Sequence, residues 1–142
     1  MRGYLEKIRN KKIEDFYLRF ITEINYHIGV CFDALGKRGE ALVYFRNAVN
    51  LNPEDGVMNY ALGLAYLKQD DIGSAIAHFE RALALNEGDL MAANSLALWY
   101  QKIGNYDKAE KLLRTIVEKD SGSLSARENL NNFLSKKNDL IK

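Results

Sequence analysis

An all-α solenoid of three tandem helix-turn-helix units is the fold class that the sequence predicts, on three observations. First, whole columns of residues recur at a step of 34: Ile28, Leu62, Leu96 and Leu130; Phe32, Tyr66 and Tyr100; Ala41, Ala75 and Ala109; Phe45, Phe79 and Leu113. Self-similarity at such a period marks stacked supersecondary units, each too thin to bury its apolar face alone. Second, the apolar residues within a copy follow one another at three and four residues, as in Ala41, Phe45, Ala48 and Val49, which is helical spacing. Third, turn-forming residues break each copy in the middle, at Leu35-Gly36-Lys37, Gln69-Asp70-Asp71 and Ile103-Gly104-Asn105. Others close it, at Asn52-Pro53-Glu54-Asp55, Asn86-Glu87-Gly88-Asp89 and Asp120-Ser121-Gly122-Ser123, where helix ends and N-caps belong.

Taken in order, residues 1–21 are the least regular. Phe16, Phe20 and Ile24 keep a four-residue step, yet the Ala and aromatic columns would fall on Lys7 and Lys11. The stretch is either a long helix running into the first copy or a degenerate half-unit, and we assign it as an N-terminal helical extension. The three copies run 22–55, 56–89 and 90–123, two helices each. Residues 124–142 hold the phase with Leu130 and Leu134 but add Arg127, Glu128, Asn131, Asn132, Lys136 and Lys137. One polar face is what the last helix of a stack requires, so this is a capping helix. About seven helices and no sheet are expected.

Composition bounds the rest. At 142 residues, 47% hydrophobic and 27% charged, the chain is one ordinary domain with a real core. Twenty Lys and Arg against nineteen Asp and Glu give +1, without the excess of a generic nucleic-acid binder. The charge is partitioned: residues 23–123 carry ten basic and fourteen acidic side chains, between basic ends. Cys31 is the one cysteine, so no intrachain disulfide forms, and a reducing compartment fits. Neither a secretory leader nor an 18-residue apolar run is visible, which points to a cytoplasmic protein without a membrane span.

The columns resemble the tetratricopeptide repeat, whose 34-residue signature sets Leu-Gly, an aromatic three residues later, then Ala, an aromatic and Ala in the second helix, and a closing Pro. The first copy matches at Ile28-Gly29, Phe32, Ala41, Phe45, Ala48 and Pro53; the second departs at Glu87, where Pro is expected. The third is looser, with Ala97, Leu113, Ile116 and Ser121 in place of Gly, aromatic, Ala and Pro. Asn25, Asn59 and Ala93 replace the signature Trp. The resemblance spans residues 22–123 and implies a right-handed superhelix whose first helices wall a concave groove. Apart from any family, a Gly inside a helix costs about 1 kcal/mol relative to Ala, so Gly29 and Gly63 require a close approach of the paired helix.

Chemistry is scarce. His27 and Cys31 share a helix face, but two groups make no metal site, and Cys31 stands at a position read as buried; His78 reads as an outer-face residue of a second helix. The sequence holds no Gly-rich phosphate loop, nucleophile elbow or paired-His motif, so neither enzyme activity, cofactor nor metal is expected. Function is then expected on the groove wall, at Tyr26, Val30, Val57, Tyr60, Leu64, Met91, Asn94 and Leu98. Trp99 reads as a core filler. The wall is apolar, which predicts a scaffold that holds a peptide or helix of a partner protein. Alternatives are a small secretion-type chaperone shielding apolar client segments, or a self-assembling homo-oligomer. In the related domains that grip the acidic tails of Hsp70 and Hsp90, a clamp of Lys, Asn, Lys and Arg lines the groove. The resemblance puts Tyr26, Val30, Ala61, Met91 and Ser95 at those places, all uncharged.

Overall fold

The computed structural model describes the backbone of residues 2–141 and the side chains of residues 3–139. Seven helices follow one another: α1 Arg2–Ala34, α2 Arg38–Leu51, α3 Gly56–Leu67, α4 Ile72–Leu85, α5 Leu90–Lys102, α6 Tyr106–Lys119 and α7 Leu124–Ile141. No strand occurs among the described residues. Each helix packs on the next in the chain, the expected layout of a solenoid.

Local chemistry explains the boundaries. The Asp55 carboxylate accepts from Met58 N at 3.0 Å, Asp71 from Ser74 N at 3.0 Å, and Asp89 from Met91 N and Ala92 N, both at 3.0 Å. Ser123 Oγ accepts from Ala126 N at 3.2 Å. Each cap satisfies amides that the first turn of a helix leaves without partners. Inside each copy the chain reverses through one left-handed residue, and these again lie 34 apart: Gly36 (φ 72°), Asp70 (φ 60°) and Gly104 (φ 80°). The middle turn therefore does with Asp what its neighbours do with Gly.

Small residues set how closely paired helices approach. A Cβ on Gly29 would lie 2.9 Å from the Phe45 ring, and one on Gly63 would lie 2.7 Å from the Phe79 ring. Facing Ala41, Ala75, Ala82 and Ala109 are at most 1% exposed. The core runs in two clusters, one around Phe45, Val49 and Leu62, the other around Phe79, Leu96, Leu113 and Phe133; Tyr66 packs against both. The second reaches α7, whose Ala126 and Phe133 are buried. Lys137 Nζ ties α7 to α6 by donating to Glu110 Oε2 at 2.8 Å.

Residues 2–34 form one continuous helix of 33 residues, about 50 Å at 1.5 Å per residue. Its contact with the rest of the molecule begins at Thr22, which is 1% exposed; residues 3–21 are all exposed.

Candidate groove on the first helices

α1, α3 and α5 are the first helices of the three pairs, and the eight residues expected on the groove fall into columns 34 apart. Val30, Leu64 and Leu98 form one, exposed at 42%, 38% and 49%. Val57 and Met91 form another, at 63% and 65%. Leaving five large apolar side chains in water at regular spacing on neighbouring helices is costly unless something covers them. Tyr26, Tyr60 and Asn94 make the third column, and these are half-buried. The Tyr26 ring lies 5.9 Å from that of Phe45, and the Tyr60 ring 5.4 Å from that of Phe79. Both rings thus belong partly to the core and partly to the surface between the exposed columns.

Polar groups along this surface are bonded to one another. Lys68 Nζ donates to Asp33 Oδ1 at 2.6 Å, the Tyr60 hydroxyl and Ser95 Oγ share a hydrogen bond of 3.2 Å, and Asn129 Nδ2 donates to Asn94 Oδ1 at 3.2 Å. Every one of these rungs spans 35 residues, one repeat plus one, and joins successive first helices or the last of them to α7. The rungs leave the surface between them to the apolar columns. At the far end a recess of about 370 Å³ is bordered by Asn94, Leu98 and Gln101 of α5 and by Asn129, Asn132 and Lys136 of α7. Sequence reasoning assigned α7 to capping alone and missed these three. The signal was present, since the column Val30, Leu64, Leu98 continues at the same step to Asn132.

Two further residues, Cys31 and His78, differ from expectation. Cys31 is exposed, not buried, because α1 opens the stack and its face away from α2 is uncovered. His78 is not an outer-face residue: its ring stacks on Tyr66 with centroids 5.5 Å apart, and Nδ1–H donates to Asn59 Oδ1 at 3.1 Å. Burial pushes its pKa below 6.5. Asn59, 2% exposed at a signature Trp position, donates Nδ2 to Pro53 O at 3.1 Å and Asp55 O at 2.8 Å, so both of its donors are used and its oxygen is bonded to His78. Trp99 is half-buried, packed on the second core cluster with Lys102 Nζ 4.2 Å from its ring centroid. The Tyr100 hydroxyl donates to Glu80, and burial pushes its pKa well up.

No group of three or more His, Cys, Asp or Glu that could hold a metal occurs among the described residues, and no described helix is long and apolar enough to cross a membrane.

Comparison with known proteins gives a consistent answer. Two family models, both described as tetratricopeptide repeat, match residues 29–89 and 66–130. No curated protein matches the chain in sequence. Among solved structures, the first TPR domain of Spaghetti (RPAP3), bound to the HSP90 peptide SRMEEVD, is similar at 17% identity and a TM-score of 0.71, covering 82% of this chain and 92% of that one. The second TPR domain of human RPAP3, in complex with the HSP70 peptide SGPTIEEVD, gives 16%, 0.67, 83% and 96%. MamA gives 25%, 0.72, 82% and 68%. The two matched spans together cover residues 29–130, which hold the 34-residue columns, the left-handed turn of each copy and the Gly contacts, and the chain belongs to the tetratricopeptide-repeat family.

Proposed function

We propose that this chain is a non-enzymatic scaffold that holds a peptide or amphipathic helix of a partner protein against α1, α3 and α5, the first helices of units 22–55, 56–89 and 90–123. The observation that carries the reading is the pair of exposed apolar columns, Val30, Leu64 and Leu98 beside Val57 and Met91, at one shared step. A ligand with apolar side chains at helical or strand spacing would bury both columns. Tyr26 and Tyr60 offer aromatic edges between them, and Asn94, tied to Asn129, borders the recess at one end.

Two comparison domains hold peptides ending in acidic residues, and that chemistry does not carry over. The family resemblance puts the uncharged Tyr26, Val30, Ala61, Met91 and Ser95 at the clamp positions. Lys68 is engaged by Asp33, and Lys102 lies over Trp99. A cytoplasmic setting is supported by the single cysteine.

The test is capture followed by mass-spectrometric identification, comparing the chain with Leu64→Glu/Leu98→Glu. Both residues are exposed, so the helical signal should persist while the captured partner disappears. Equal capture by both proteins would remove the groove from the reading.

A further inference from the structure

We propose that the chain pairs with a second copy of itself through the outward face of α1, antiparallel, on a two-fold axis at Ile24. Ile13, Tyr17, Phe20, Ile24, Ile28 and Cys31 succeed one another at steps of four, three, four, four and three. That is an eleven-residue period, about 3.67 residues per turn, which keeps them in one stripe along a nearly straight helix. At about 100° per residue the stripe lies on the opposite side of α1 from Thr22 and Gly29, the residues seated against α2. It is therefore the end face of the stack, distinct from the groove columns. Ile13, Tyr17, Phe20 and Ile24 are 47%, 58%, 53% and 41% exposed, and Leu35, in the turn beyond, is 70% exposed. Ile24, Ile28, Cys31 and Leu35 border a recess of about 400 Å³ whose exposed lining is apolar.

A second copy fits because the stripe reads the same in both directions. With Ile24 on the axis, Phe20 of one copy falls on Ile28 of the other, Tyr17 on Cys31, and Ile13 on Leu35. The aromatic half of each stripe then fills the recess half of its mate, a self-complementary two-fold contact. No Asp, Glu, Lys or Arg interrupts the stripe between Ile13 and Leu35. Taking about 200 Å² for a large side chain and the exposures above, with Phe16 at the border, the face presents roughly 700 Å² per copy. The pair would bury roughly 1,400 Å², inside the range of stable interfaces that begins near 1,200 Å².

Charge selects the antiparallel direction. Residues 2–12 hold Arg2, Lys7, Arg9, Lys11 and Lys12 against Glu6 alone. A parallel pair would set these cations against their own copies, whereas the antiparallel pair carries the two clusters to opposite ends. The same cations argue against a bilayer as the occupant. At about 100° per residue Glu6 and Asn10 continue the line of the stripe toward the N-terminus, and Lys7, Lys11 and Lys12 stand on the side of Tyr4 and Ile8, so residues 2–12 have no apolar face to lie in a membrane surface.

Sedimentation velocity of the full chain from about 1 to 100 µM tests the pairing, and a species of twice 16.2 kDa is expected. Ile24→Glu places two carboxylates on the axis and should weaken the dimer at least about 100-fold with the helical signal unchanged. Ile24→Cys in a Cys31→Ser background should cross-link on mild oxidation. In the native chain each Cys31 faces Tyr17 of its mate, so the two thiols lie about 21 Å apart at 1.5 Å per residue and stay unlinked. A chain monomeric at 100 µM, a dimer that Ile24→Glu leaves intact, a native dimer joined Cys31 to Cys31, or a monomer that sediments with phosphatidylcholine–phosphatidylserine vesicles would each overturn the proposal. Retention of groove binding by the Ile24→Glu monomer would leave the groove reading untouched.

Discussion

Adding one methyl group at Gly63 sets two known effects against each other, and the structure decides between them. In a helix, Ala is favoured over Gly by about 1 kcal/mol, so Gly63→Ala in the interior of α3 would stabilise if nothing stood in the way. Something does: the new Cβ would sit 2.7 and 2.8 Å from two carbons of the Phe79 ring and 3.2 Å from the Ala75 carbonyl oxygen. Ordinary carbon contacts are about 3.5 to 4.0 Å. Phe79 and Ala75 are both 0% exposed, so neither can yield toward solvent. Overpacking of this kind costs about 1 to 3 kcal/mol, and contact with backbone as well as ring puts Gly63 in the upper part of that range. The net expectation is a loss of about 1 to 2 kcal/mol, more for Gly63→Leu. Gly39→Ala is the internal control, because nothing beyond the backbone of its own helix comes within 4 Å of a Cβ there. It should gain about 0.4 to 1 kcal/mol. Urea melts followed by circular dichroism, with slopes compared so that a change in midpoint reads as a change in stability, give both numbers. Equal or greater stability for Gly63→Ala, with Gly39→Ala also raised, would show that the Gly column does no packing.

Asp70 occupies a left-handed turn that Gly36 and Gly104 fill in the other copies, so Asp70→Gly should stabilise by about 0.5 to 1 kcal/mol; no gain in the melting midpoint would locate a compensating role for the carboxylate. Burial lowers the His78 pKa below its ordinary value. The unfolded chain takes up the proton first as pH falls, so stability is fully present above about 6.5 and is lost as pH falls through the depressed folded value. The wild type should lose more midpoint between about pH 7.5 and 5 than His78→Gln, and parallel curves would remove His78 from the acid response. Deleting residues 124–142 uncovers the side of the core that Ala126 and Phe133 close, so the truncated chain should aggregate; a chain monodisperse in light scattering at high concentration would end the capping assignment. A peptide ending in Glu-Glu-Val-Asp should show no heat of binding in low-salt calorimetry, since charge-assisted bonds supply the grip in such sites and the clamp positions are uncharged; micromolar binding would overturn the groove assignment.

How much of this was legible in the sequence depended on whether a residue's partner lies in its own repeat. The 34-residue columns, the helix breaks and the close approach at Gly29 and Gly63 are properties of one unit seen three times, so repetition itself exposes them. Residues whose partners lie elsewhere in the chain were harder to read. Position 59 departs from the family signature and carries an Asn, but only the structure shows that the departure is compensated by His78, which leaves the surface to bond it. Position 31 is buried in an interior copy, and Cys31 is exposed because burial in a stack is conferred by the preceding unit. The same rule explains the groove. Its polar rungs join residues 35 apart in neighbouring units, so no single copy reveals that Asp33, Ser95 and Asn129 satisfy Lys68, Tyr60 and Asn94. Once those groups are paired, the apolar side chains are what the surface exposes, so on the proposed reading the specificity of the site rests on their spacing instead of on charge.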